Sequence, residues 1–259
     1  MAGSHSLAMR VLPLFVLSLF AAAAFAQVED CPPRYSYCGY SGPAQWPNIP
    51  IKDKVNECGG TKQSPIDLPA SGPTRGDKIE LKYEAGDATI VNSGHDIRVI
   101  PKGDAGGITI EGKYYPLVNF HFHTPSEHHI RGVEERAEIH LVHQIGDDYA
   151  VIGVRLKAGL PYEALVPVFA NLPVRACAKV DARIEFDKLL PDGLGSYYNY
   201  VGSLTTPPCS ERVIWYVLEV TRTIPVPDLT KLTALGPNAR LPQKNPQPLE
   251  VKYVRPSSK

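Results

Sequence analysis

Proline and glycine interrupt this chain too often for long helices. The 25 prolines and 21 glycines are scattered rather than gathered into linkers. Each proline removes a backbone donor and fixes φ, so the pattern suits many strands joined by turns. Runs rich in Val, Ile, Tyr and Phe predict strands at 107–111, 115–124, 137–145, 149–156 and 212–220. Gly146-Asp147-Asp148 reads as a hairpin turn between two of them. One helix is expected at 161–171, with Leu165, Val168, Phe169 and Leu172 on one face and Pro167 disturbing it. The ends, 27–57 and 237–259, are dense in Pro, Gly and Asn and are expected to wrap the surface irregularly. No repeat or linker divides the chain, which points to a mainly β fold in a single domain.

Arg10 is the only charge in the first 26 residues, and an apolar run ends there in Ala24-Phe25-Ala26. That is the form of a cleaved signal peptide, with a retained anchor as the competing reading. Residues 1–26 are therefore expected to be removed, leaving 27–259 as an exported domain, secreted or periplasmic, with no stable membrane anchor. The 27 basic and 27 acidic residues balance, and no basic stripe appears, so nucleic acid is not an expected partner. Five cysteines, Cys31, Cys38, Cys58, Cys177 and Cys209, imply disulfides with at least one thiol left free or bridging two chains. Spacing alone does not choose the pairing, and a homodimer through an intermolecular bridge stays open.

Six of the eight histidines lie between His121 and His143. Side chains alternate along a strand, so His121 and His123 share a face with Asn119, while Phe120 and Phe122 point the other way. The same parity groups Glu138, His140 and Val142. If the two strands are neighbours, three imidazoles converge. Three neutral nitrogen ligands suit a catalytic zinc, leaving a fourth position for water. Glu138 and Asn119 stand on the faces where they can accept the ligands' second N–H groups. His128, His129 and His143 are read as surface or structural histidines.

Five strings occur in order: Gln63-Ser64-Pro65-Ile66-Asp67-Leu68, His121-Phe122-His123, Ser126-Glu127-His128, Glu138-Ile139-His140-Leu141-Val142-His143 and Gly202-Ser203-Leu204-Thr205-Thr206-Pro207-Pro208. Together they closely resemble the alpha-class carbonic anhydrases over roughly residues 35–251. The resemblance implies one domain on a large, twisted, mainly antiparallel sheet with a few short surface helices. It implies Zn2+ held by His121, His123 and His140, with Asn119 and Glu138 behind them. Thr205 would receive a hydrogen bond from zinc-bound hydroxide and give its own to Glu127. Val142, Val151, Leu204, Thr206 and Trp215 would line the substrate site, and Tyr37 would help hold the cavity's waters. His95 would carry protons out, as suits a group titrating near neutrality. Cys58 and Cys209 match a disulfide of exported members.

The implied reaction is attack of the hydroxide on carbon dioxide, release of bicarbonate, and proton export. A non-catalytic binding module of the same fold and a zinc esterase are the alternatives. The binding module is disfavoured because all three ligands are retained. Two positions depart from the family pattern. Asn119 is one methylene shorter than the usual glutamine, so its bond to His121 is expected to need a water or a shifted strand. Arg98 places a charge where the cavity is more often neutral.

Overall fold

The computed structural model describes residues 34–52, 54–70, 74–190 and 193–255. The expected leader at 1–26, and Cys31, lie outside the described residues. In chain order the first strands are β1 (Asp67–Leu68), β2 (Ile79–Tyr83), β3 (Gly86–Asn92), β4 (Ile97–Pro101), β5 (Gly106–Ile110), β6 (Lys113–His123) and β7 (His129–Ile130). They are followed by β8 (Ala137–Ile145), β9 (Asp148–Ala158), β10 (Lys179–Ile184), β11 (Tyr197–Ser203), β12 (Glu211–Leu218), β13 (Arg222–Ile224) and β14 (Lys252–Val254). Twelve of them form one sheet, whose main path runs β10-β3-β4-β6-β8-β9-β12-β11-β14. Most neighbours are antiparallel, and β9 pairs in parallel with both β12 and β13. The mainly β, mainly antiparallel expectation is met.

The central strands are the ones the sequence marks most clearly. β8 spans the predicted residues, and β9 extends its prediction by a residue at one end and two at the other. Ile145 pairs with Asp148, leaving Gly146 and Asp147 as a two-residue hairpin loop. Gly146 sits at φ 57°, in the left-handed region that such a loop needs and a side chain disfavours. The predicted helix is shorter than expected: a 3-10 turn, Glu163–Leu165, leads into α1 (Val166–Ala170). Pro167 lies in the first turn of α1, the place where a missing N–H is harmless, so the proline starts the helix instead of kinking it. Val168 and Phe169 are buried, as predicted. The N-terminal segment forms 3-10 turns, and the C-terminal one adds β14. A second short helix, α2 (Val226–Thr233), packs Leu229 and Leu232 inward. No helix among the described residues is long and apolar enough to cross a membrane.

Strand parity divides the sheet's two faces. Phe120, Phe122, Ile139, Leu141, Ile152 and Val154 join the larger core. Each such side chain contributes about 1.5–3 kcal/mol by leaving water. Val142, Val151, Tyr200, Trp215 and Val217 form a second cluster on the other face. The histidines of β6 and β8 share that second face.

His143 falls on the core face by the same alternation and is fully buried. Its Nδ1 lies 3.1 Å from the Ala150 carbonyl and its Nε2 2.9 Å from the Tyr83 hydroxyl. A neutral ring satisfies both, donating from Nδ1 and accepting at Nε2. Burial pushes its pKa down to about 4, against the backbone carbonyls of Ala150 and Leu141, which raise it. The unfolded chain then binds the extra proton first as pH falls. Stability should therefore be full above the unfolded value of about 6.5 and decline towards pH 4, by about 3 kcal/mol in all. Urea unfolding of His143→Gln beside the parent protein checks this: the parent should lose stability more steeply between those limits. Equal slopes would remove the assignment.

Candidate metal centre

β6 and β8 pair antiparallel with His121 opposite His140 and His123 opposite Glu138. That register brings three imidazoles together, with one nitrogen from each of His121, His123 and His140 within 4.8 Å of the others. The second nitrogen of each ring is tied off. His121 Nδ1 donates to Asn119 Oδ1 at 2.9 Å, His123 Nδ1 to the Asn238 carbonyl at 2.8 Å, and His140 Nε2 to Glu138 Oε1 at 2.9 Å. These bonds fix the tautomers, so Nε2, Nε2 and Nδ1 respectively present lone pairs to one point. His123 Nε2 is buried without a hydrogen-bond partner. A buried acceptor left without a partner is costly, and a cation held by His123 Nε2 with the facing nitrogens of His121 and His140 would remove that cost.

The electrostatics agree. Burial lowers the pKa of all three rings, well below the usual value for His121 and to about 3 for His123. Their mutual repulsion adds to this for His121 and His123. The rings are neutral at pH 7, which is the ligating form. Asn119 reaches His121 directly, so of the two routes expected for its shorter side chain, a water or a shifted strand, the second is the one observed. The strand pairing shifts register between Leu117 and Asn119, and this bulge accompanies the direct bond.

Behind His140 the structure adds what the sequence reading left out. His128 is fully buried, not a surface group. Its Nδ1 donates to Glu138 Oε1 at 2.7 Å, its amide donates to Glu138 Oε2 at 2.8 Å, and its Nε2 lies 2.7 Å from the Tyr200 hydroxyl. His128, Glu138 and His140 could also be seen as a metal-binding triad. Their facing nitrogens already donate to the carboxylate, so the trio is a hydrogen-bonded clamp on His140. Burial pushes the Glu138 carboxyl upward, but His128 and His140 outweigh it and hold it well below the usual carboxylate range.

Gly153 makes room for this carboxylate. It pairs with His140 across β8 and β9, and a Cβ there would stand 2.8 Å from Glu138 Oε1. That oxygen is held by two hydrogen bonds and cannot move away cheaply. Gly153→Ala is therefore expected to weaken zinc binding about 10-fold, on the scale of lost ligand-supporting contacts. Chelator competition measures this, and unchanged affinity would count against the clamp.

Glu127 is wholly buried, with Oε1 accepting from the Arg240 amide at 2.8 Å. Its Oε2 faces the centre, 3.4 Å from His123 Nε2 and 3.8 Å from His140 Nδ1. Burial holds its pKa well above the carboxylate range, while the Thr205 hydroxyl and the Arg240 amide pull it down. Thr205 is thus beside Glu127, although Oε2 has no hydrogen bond of ordinary geometry. The turn carrying Thr205 and Thr206 is closed by Leu204 N donating to Ser210 O and Cys209 N to Thr206 O. Val142, Val151 and Trp215 are buried in one cluster with Leu204 packed against it, and the Trp215 ring lies 4.8 Å from that of His140.

His95 stands at a turn before β4, its ring 4.5 Å from Tyr35 and 5.8 Å from Tyr37. Burial lowers its pKa, with Asp96 opposing. Arg98 pairs with His121 across β4 and β6, and its charge is met by Asp96 at 2.8 Å. Cys58 and Cys209 are bonded to each other. Cys177 is also disulfide-bonded, and among the described residues Cys38 is exposed and free.

Residues 41–257 match the family described as eukaryotic-type carbonic anhydrase. A carbonic anhydrase of Neisseria gonorrhoeae is 33% identical over 252 residues, covering 95% of this chain and 97% of that one. The solved Photobacterium profundum alpha-carbonic anhydrase superimposes with a TM-score of 0.74 at 32% identity, covering 85% of this chain and 100% of that chain. The alpha-carbonic anhydrase from Thermovibrio ammonificans, solved with the inhibitor sulfanilamide, gives 0.73 at 32% identity, covering 85% and 98%.

Proposed function

The chain belongs to the alpha carbonic anhydrases, a family of carbonate dehydratases, and on that premise we propose that it hydrates carbon dioxide reversibly at the His121–His123–His140 centre. The observation that carries the reading is the set of three buried imidazoles, each with one nitrogen tied off and the other free towards a common point. His121, His123 and His140 would hold zinc, which when bound supplies the Lewis acidity that turns water into a nucleophile at neutral pH.

The chain's own residues do the rest. Thr205 would donate its hydroxyl hydrogen bond to Glu127, leaving the threonine oxygen to accept, so the attacking oxygen is oriented by a lone pair of fixed direction. Glu127 can serve because the Arg240 amide already satisfies one of its oxygens. The Thr205 amide would donate to negative charge developing on the substrate. Val142, Val151, Leu204 and Trp215 offer an apolar wall, which suits a small uncharged molecule and excludes bound water there. His95, with Tyr37 against its ring, takes the released proton and passes it to buffer. Ester hydrolysis would be a side activity of the same centre. Export through a leader at 1–26 fits the Cys58–Cys209 bridge, since disulfides persist in oxidising compartments.

The test is metal analysis joined to stopped-flow carbon dioxide hydration. About one zinc per chain and hydration abolished by an aromatic sulfonamide are expected, as the three-nitrogen site demands. A metal-free, folded and active preparation would overturn the site. A zinc-loaded preparation without hydration would favour the binding-module alternative.

A further inference from the structure

His95 lies in the turn before β4, whose Arg98 pairs with His121 of the ligand strand, and Asn238 from the irregular C-terminal segment adds a second tie between them. Asn238 is buried and uses almost all of its polar atoms. Its main-chain carbonyl accepts from His123 Nδ1 at 2.8 Å. Its Oδ1 accepts from the Thr124 amide at 2.6 Å. Its Nδ2 donates one hydrogen to the Phe122 carbonyl at 2.8 Å and the other to the His95 carbonyl at 2.8 Å.

We infer that Asn238 is a positioning residue for proton transfer, holding the His95 turn in register with the ligand strand through the His95 carbonyl. The inference rests on His95 acting as the proton carrier. The turn is closed on itself: the amides of His95 and Asp96 donate to Ser93 Oγ, and Ser93 N donates to the Asp96 carbonyl. Such a turn keeps its own shape, and the pairing of Arg98 with His121 carries its far end beside β6. The amide of Asn238 ties the His95 end to the same strand, because it grips His95 O and Phe122 O with the two hydrogens of one nitrogen. The bond to the His95 carbonyl fixes the carrier at its base, while its ring rests against Tyr35 and Tyr37. Proton transfer along waters depends steeply on that placement.

Asn238→Asp separates the roles. Aspartate has the same shape, keeps an acceptor for the Thr124 amide and keeps the main-chain carbonyl for His123, but it has no hydrogens for His95 O or Phe122 O. At low buffer its kcat is expected to fall about tenfold, with kcat/KM within about twofold and full recovery on adding imidazole. In metal-free protein, amide exchange at 94–96 should quicken about tenfold while that at 121–123 is unchanged. Asn238→Ala, which introduces no charge but also removes the acceptor of the Thr124 amide, should show the same fall in kcat and the same faster exchange at 94–96. His95→Ala provides the separation of readings. If it leaves kcat unchanged, the carrier role falls, whereas faster exchange in Asn238→Asp would still show that the turn is held. If His95→Ala is impaired and both Asn238 variants keep parental kcat and exchange, the inference is overturned. Equal losses in kcat, kcat/KM and zinc content, or failure of both variants to fold, would assign Asn238 to the fold alone and overturn it as well.

Discussion

Glu138→Ala is expected to cost about 3–5 kcal/mol of stability and to weaken zinc binding about 10- to 100-fold. The carboxylate is wholly buried and takes three bonds: His128 Nδ1 and His140 Nε2 on Oε1, and the His128 amide on Oε2. Truncation leaves three donors in a place without water, and such groups are expensive when unpaired. The effect on zinc has a separate origin. His140 must present Nδ1 inward, and the bond from its Nε2 to Glu138 selects that tautomer and aims the ring. Without it both tautomers compete. Glu138→Gln should fall between the two, because one amide oxygen can still accept while the NH2 group faces a donor. Urea unfolding of the metal-free proteins isolates the stability cost, and chelator competition isolates the zinc effect. A loss below about 1 kcal/mol would mean that His128 and His140 find other acceptors.

How much of this centre could be read from residues alone follows from the kind of signal each part leaves. His121, His123 and His140 were legible because β-strand alternation has a period of two and the strands are long. The same parity separates His140, facing the candidate metal centre, from His143, facing the core, although they are three residues apart. The support for His123 left no mark. Its acceptor is a main-chain carbonyl 115 residues away, and every residue type has one. The Arg240 amide on Glu127 is hidden for the same reason. His128 stayed undecided between surface and structural because it lies outside any regular strand, where no periodicity reports burial. The direct bond from Asn119 needed knowledge of a bulge, and a one-residue register shift is invisible to composition. Strands β2, β3, β4, β10 and β11 went unmarked because they are short, mix polar with apolar residues, or carry Gly, Asp and Asn.

Removing the Cys58–Cys209 bridge should lower stability by up to about 5 kcal/mol, the chain-entropy value for a loop of this length. The bonded residues are 151 apart, so the bridge restrains more than half of the chain in the unfolded state. It also acts locally. Both cysteines are buried beside Trp46, and Glu57 N donates to Pro208 O at 2.8 Å, next to the bridge. Cys209 N closes the turn that carries Thr205 and Thr206. Two effects are therefore expected together: a fall in the urea midpoint, and a fall in kcat/KM as Thr205 loses its fixed place. Reduction with a thiol is not the clean test, because it would also open the bridge at Cys177. The double variant Cys58→Ala, Cys209→Ala leaves Cys177 and Cys38 untouched. A second restraint competes with the bridge, since Arg240 binds the carbonyls of Cys58 and Ser64 and the side chain of Gln63. If the double variant loses less than about 1 kcal/mol, this guanidinium network already holds the segment and the entropic account is wrong here. If stability falls as expected while kcat/KM is preserved, the bridge restrains the unfolded chain alone, and the Leu204–Ser210 and Thr206–Cys209 main-chain bonds suffice to place Thr205.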